Sequence, residues 1–197
     1  MVIGYHVILS AYGFWLPNDP RGSWSEFVGA WELLRFGRAT KVSTLRSLAG
    51  ASHDASARMA AKQALKYPPV RFNGIQARAV GRGFALAVRK GRITVWACSI
   101  LPDHAHLVVA RHRYPVEQIA NLLKGASTRR MRFENAHPLA AYRTATGCCP
   151  KAWAREQWAV FLRTPQDVRR AIAYVEANPG REGLRRQRWS FVAPFET

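Results

Sequence analysis

The stretch from Ile93 to Ala110 constrains the fold of this chain more than any other. A short apolar, β-branched run, Ile93–Leu101, meets a Pro102-Asp103 turn. A second run of the same kind follows, from His104 to Ala110. Two strands joined by so tight a turn pair as an antiparallel hairpin. Leu107, Val108 and Val109 are apolar on both faces, so the hairpin belongs inside a covered sheet. A helical pattern stands on each side of it. Asn73–Arg89 repeats Ile75, Ala79, Gly83 and Ala87 along one stripe, and Gly91 is placed to close that helix. The second helix runs from Pro115, in its first turn, to about Phe133.

The remaining elements complete an alternating order. Residues 3–11 read as a buried strand, and Trp158–Leu162 as a short one. Thr164-Pro165-Gln166-Asp167 opens the last helix, with Thr164 as cap, Pro165 first and Asp167 third. That helix is expected to end at Asn178, because a proline disfavours helical geometry at the residue before it. Another helix is expected around Ala51–Tyr67. The order implies an α+β fold, a ferredoxin-like antiparallel sheet with packed helices. We read residues 1–197 as a single domain, with 25–70 an insertion and 180–197 a basic C-terminal tail.

Charge narrows the partners. The chain carries 30 Lys and Arg against 12 Asp and Glu, a net charge of +18, and 24 of the 30 are Arg. The excess is spread along the sequence, so a folded surface made from it attracts polyanions in a salt-dependent way. Arginine also favours bidentate phosphate contacts and stacking on bases. Lys124, Arg129, Arg130 and Arg132 form one candidate phosphate-binding set; Arg181 and Arg185, with Arg186 and Arg188, form another. The three cysteines make no C-x-x-C pair, and Cys98 reads as a core thiol. No basic, apolar leader opens the sequence, and no run reaches the length of a membrane span. A cytoplasmic protein acting on nucleoid DNA is the expectation, with no membrane partner.

Two short motifs carry chemistry. In a strand, residues two apart share a face, so His104 and His106 point together while Ala105 points away. In a helix, residues four apart share a face, so Tyr174 and Asn178 do likewise. Neither pair is specific alone. Together they offer two imidazoles and an amide oxygen, a set that leaves coordination positions open for a phosphate, beside an oxygen nucleophile. Tyr5, Tyr12 and Tyr114 read as packing aromatics, and His6 as a structural residue within the sheet.

These motifs resemble those of a known family. Ile100-Leu101-Pro102-Asp103-His104-Ala105-His106-Leu107-Val108 looks like the His-hydrophobic-His motif of single-tyrosine HUH transposases. Tyr174-Val175-Glu176-Ala177-Asn178-Pro179, followed by Gly183-Leu184, resembles the tyrosine helix of their REP-associated branch. Gly4-Tyr5-His6-Val7, the stretch from Tyr12 to Gly22, and Leu123-Lys124-Gly125 are also similar to members of that group. The resemblance implies that Tyr174 attacks a single-stranded DNA phosphodiester, giving a 5′-phosphotyrosine link and a free 3′-OH. It implies that His104, His106 and Asn178 hold Mg²⁺ or Mn²⁺ at the scissile phosphate. It also implies hairpin DNA substrates and a protein working as a monomer or homodimer. The alternative is a catalytically silent module of the same fold that binds DNA or RNA hairpins.

Overall fold

The computed structural model describes residues 1–43, 48 and 50–196. Residues 44–47 and 49, within the expected insertion, and residue 197, in the expected tail, lie outside the described residues. The chain runs β1 (Gly4–Ser10), α1 (Ala55–Gln63), α2 (Gly74–Gly91), β2 (Val95–Ile100), β3 (His104–Ala110), α3 (Val116–Phe133), β4 (Trp158–Leu162) and α4 (Pro165–Arg181). The four strands form one sheet in the order β2-β3-β1-β4, every neighbouring pair antiparallel. With α2 and α3 as its connecting helices, this is the ferredoxin-like α+β arrangement, and α4 is a further helix after the last strand.

The two faces of the sheet are covered differently. Val7 and Leu9 of β1, with Ala11 just beyond it, and Ala105, Leu107 and Val109 of β3 point to one face. There they pack with Val80, Phe84, Ile119 and Leu123 of α2 and α3 in the main core. The two helices approach closely at Gly83, where a Cβ would stand 2.4 Å from the Ser127 Cα. Only a hydrogen fits at that crossing. The opposite face packs Ala97, Val108 and Leu162 against Val168, Ala171 and Val175 of α4, a smaller apolar cluster. Residues 168, 171 and 175 recur at helical spacing, which fixes the face that α4 turns to the sheet.

Several ends differ from the sequence expectation. Gly91 lies within α2, and the left-handed residue that closes the helix is Arg92, at φ 53°. Pro115 is the N-cap of α3, one position before the first helical residue. Pro179 does not end α4, which continues to Arg181. A proline in a last turn removes one helical hydrogen bond, and Pro179 is itself buried, so packing offsets the loss. The opening of α4 is as expected: the Thr164 side chain accepts from the Asp167 N–H, and the Asp167 carboxylate accepts in return.

The region 25–70 carries a 3-10 turn at Trp31–Phe36 and α1, shorter than expected. Leu33 and Ala61 bury a small cluster there with Leu16. The tail is docked on the outer edge of β2. The Gln187 amide donates to the Ile100 carbonyl and accepts from the Ile100 N–H, both at 2.8 Å, and Val192 bridges to Val95. Among the described residues no helix is long and apolar enough to cross a membrane.

Candidate active site

Strand register builds the site on the face that α4 only partly covers. Ile8 pairs with His106 and Ser10 with His104 across β1 and β3. Ser99 of β2 and Trp158 of β4 extend the His106 row to either side. His6 stands opposite Val108, so it is the diagonal neighbour of His106 on the same face. Ala105, between the two histidines, is fully buried on the other face. A small apolar residue is what that position requires.

Each histidine is held by its Nδ1 edge. His104 Nδ1 lies 2.7 Å from the Asp103 carboxylate, and His106 Nδ1 lies 3.0 Å from His6 Nε2. The two rings are 4.7 Å apart, nearly perpendicular. Phe14 stacks on His104 at 4.6 Å, within a loop braced by the buried Arg21–Asp19 pair and by Trp15 donating to the Gly22 carbonyl. Burial would raise the Asp103 pKa, but the His104 hydrogen bond and the charges of His104, Arg71 and Lys62 carry it below its ordinary value. Burial lowers His6 to about 4. Burial, then the neighbouring His104 and His6, hold His106 well below the usual imidazole value. His6 and His106 are therefore neutral at pH 7, and neutral is the form in which the His106 ring can ligate a metal.

α4 brings Tyr174 over this pair. Its ring lies 5.6 Å from His106 and 5.6 Å from His6, edge-on to both, and the Arg181 guanidinium sits 5.1 Å above it. Tyr174 is 41% exposed, so the ring is not sealed under the helix. Asn178, one turn on, is buried, and its Nδ2 has no hydrogen-bond partner among the described residues. That N–H₂ donor calls for an acceptor, such as a phosphate oxygen, while a metal would bind the amide oxygen. Among the described residues no three His, Cys, Asp or Glu side chains group as a metal site. The donors at hand are the two imidazoles and this amide, a nitrogen-containing set that suits Mn²⁺ better than Mg²⁺.

The basic residues divide. Arg181 and Arg185 lie in and after the last turn of α4, exposed beside Tyr174 and in the tail that follows. Lys124 is not a phosphate contact. It is buried, and its ammonium donates to the carbonyls of Ala154, Arg155 and Glu156 at 2.9–3.0 Å. Burial lowers its pKa to about 8, which still leaves it charged at neutral pH. Its place is to pin the segment leading into β4. Arg129, Arg130 and Arg132 belong to α3, on the far face of the sheet from the histidines, so they do not line the site. Arg130 pairs with Glu134, and Arg132 donates to the Gly147 carbonyl.

His6 is the residue that sequence reasoning missed. The strand alternation of residues 4–10 was legible, but its diagonal contact with a residue 100 positions away depends on sheet register.

The family described as "Transposase IS200 like" matches residues 65–178. That span holds both histidines of β3, Tyr174 and Asn178, but not β1. Among solved structures, the chain is similar to a REP-associated tyrosine transposase bound to a REP hairpin. The identity is 12% and the TM-score 0.47, with 92% of this chain and 68% of that one covered. It is also similar to a candidate transposase from Deinococcus radiodurans R1, at 12% identity and a TM-score of 0.43, covering 89% and 90%. No curated protein matches. Since the family match takes in more than half of the 197 residues, and with them the histidine strand and the tyrosine helix, the chain belongs to the IS200-like transposases.

Proposed function

We propose that this transposase cleaves and rejoins single-stranded DNA, using Tyr174 as the nucleophile and His104, His106 and Asn178 as the ligands of a divalent metal, Mg²⁺ or Mn²⁺. The observation that carries the reading is the approach of Tyr174, on α4, to the buried His106 of β3, 5.6 Å between the two rings.

The Tyr174 oxygen attacks phosphorus, the bond to the 3′-oxygen breaks, and the strand is left with a 5′-phosphotyrosine link and a free 3′-OH. The phenol gives up a proton in this step and the departing 3′-oxygen gains one. Attack by another 3′-OH reverses the exchange and rejoins the strand without an outside energy source. When bound, the metal supplies Lewis-acid stabilisation of charge at the scissile phosphate. The protein contributes placement. Sheet register fixes the two imidazoles, Asp103 and His6 set their rings, and the α4 stripe at 168, 171 and 175 holds Tyr174 at the rim. Arg181, over the Tyr174 ring, places a positive charge beside the nucleophile. A nucleotide strand would lie along β1 and β4 beside the histidines, over the partly exposed Ile8 and Val160, toward the stacked rings of Trp158 and Trp24. The hairpin form of the substrate is the one the family resemblance implies.

An adduct assay tests the reading. Labelled single-stranded DNA hairpins, taken from sequence flanking the gene, are incubated with Mg²⁺ or Mn²⁺ and run on a denaturing gel. The expected result is a denaturation-stable protein–DNA species, lost in Tyr174→Phe and in EDTA. Hairpin binding with no adduct under either metal favours a silent binding module. Cleavage that survives Tyr174→Phe sinks the tyrosine mechanism.

A further inference from the structure

We propose that His6 is a positioning residue for His106: its Nε2 accepts the Nδ1 proton of His106 and so presents the opposite nitrogen of that ring to the metal. The inference rests on the ligand set proposed above.

Both β3 histidines are engaged at the same edge, His104 by Asp103 at 2.7 Å and His106 by His6 at 3.0 Å. In each case Nε2 is left for the site. A ligating imidazole binds through a bare nitrogen and carries its proton on the other, and an acceptor beyond that proton fixes both tautomer and ring plane. The reverse pairing, with His6 donating, would leave the proton of His106 on Nε2 and block it as a ligand. The two acceptors differ in a way that follows their surroundings. Asp103 sits at the hairpin turn, partly open and next to Arg71, where a carboxylate is tolerable. His106 is only 3% exposed, and an unpaired carboxylate beside it would carry a heavy desolvation penalty. An uncharged imidazole provides the acceptor without that penalty. His6 also lies edge-on to Tyr174, so one side chain touches both the nucleophile and the ligand.

The test uses the full chain as wild type, His6→Phe and His6→Gln. Phenylalanine keeps the ring and removes the acceptor; glutamine restores an acceptor oxygen at a similar reach. Mn²⁺ affinity is measured without DNA by electron paramagnetic resonance of the free ion. The expected result is a loss of about 10–100-fold in His6→Phe, largely recovered in His6→Gln. Long-range ¹H–¹⁵N spectra of Mg²⁺-loaded wild type should place the His106 proton on Nδ1, a readout that needs no variant to fold. Unchanged Mn²⁺ affinity in His6→Phe, no recovery in His6→Gln, or a His106 proton on Nε2 each overturns the inference. If the wild type forms the Tyr174- and metal-dependent adduct in those cases, the strand-transfer reading stands without it. If the wild type neither binds Mn²⁺ nor forms the adduct, both fall together.

Discussion

The two faces of the sheet use the same strands for opposite ends. Toward α2 and α3, β1 and β3 present Val7, Leu9, Ala105, Leu107 and Val109, all fully buried. Toward α4 they present His6, Ile8, Ser10, His104, His106 and Val108, and only Val108 belongs to an apolar cluster. Because strand side chains alternate, neighbouring residues divide the work, one holding the fold and the next serving the chemistry. The rigid apolar face is what allows the other to keep polar groups in place, since a site is only as well defined as the packing behind it.

That division can be broken or sharpened by experiment. The largest effect is expected from Tyr174→Phe, which should lower adduct formation by ~10³-fold or more while moving the stability by less than about 0.5 kcal/mol. A comparable fall in urea midpoint would mean that the two faces are not separable. Phe84→Ala, in the centre of the other face, should cost about 3–5 kcal/mol in urea unfolding, because Phe84 is fully buried against Trp153 and Phe191.

Acid should act through the site face. His6, held at about 4, and His106, held well below its usual value, are neutral in the fold, whereas an unfolded imidazole titrates near ~6.5. Below that value the unfolded chain takes up more protons. Stability is therefore complete above about pH 6.5 and declines as the pH falls toward 4, by roughly 3 kcal/mol from His6. Urea midpoints at pH 7 and pH 4.5 check this; a flat profile would mean that water reaches the histidines freely. The smallest effect separates the arginines. The Arg181→Gln, Arg185→Gln double variant should reduce the slope of log affinity for single-stranded DNA against log salt by about 1–1.5. Arg129→Gln with Arg132→Gln, across the sheet, should leave that slope unchanged.

The pattern of legibility follows from range. Elements set by local spacing were readable: the β3 boundaries, the capping box that opens α4, and the same-face placement of Tyr174 with Asn178. Features set by distant neighbours were not. An arginine-rich helix stripe says nothing about which side of a sheet the helix will cover, so the placement of α3 across the sheet from the histidines was hidden. Lys124 looked like surface charge because its three carbonyl partners lie some thirty residues later, at 154–156. Pro179 was given the breaking power proline has in isolation, whereas here its burial against the protein holds the last turn.

The histidine pair and the tyrosine helix lie far apart in the chain, and this bears on the protein's synthesis. Chains emerge from the ribosome N-terminus first. His6, His104 and His106 are made well before Tyr174, and α4 can dock only after β4, its immediate predecessor, has appeared. A partly translated or prematurely terminated product therefore holds the histidine strand without its proposed nucleophile. Such fragments can be expected to leave the host chromosome uncut.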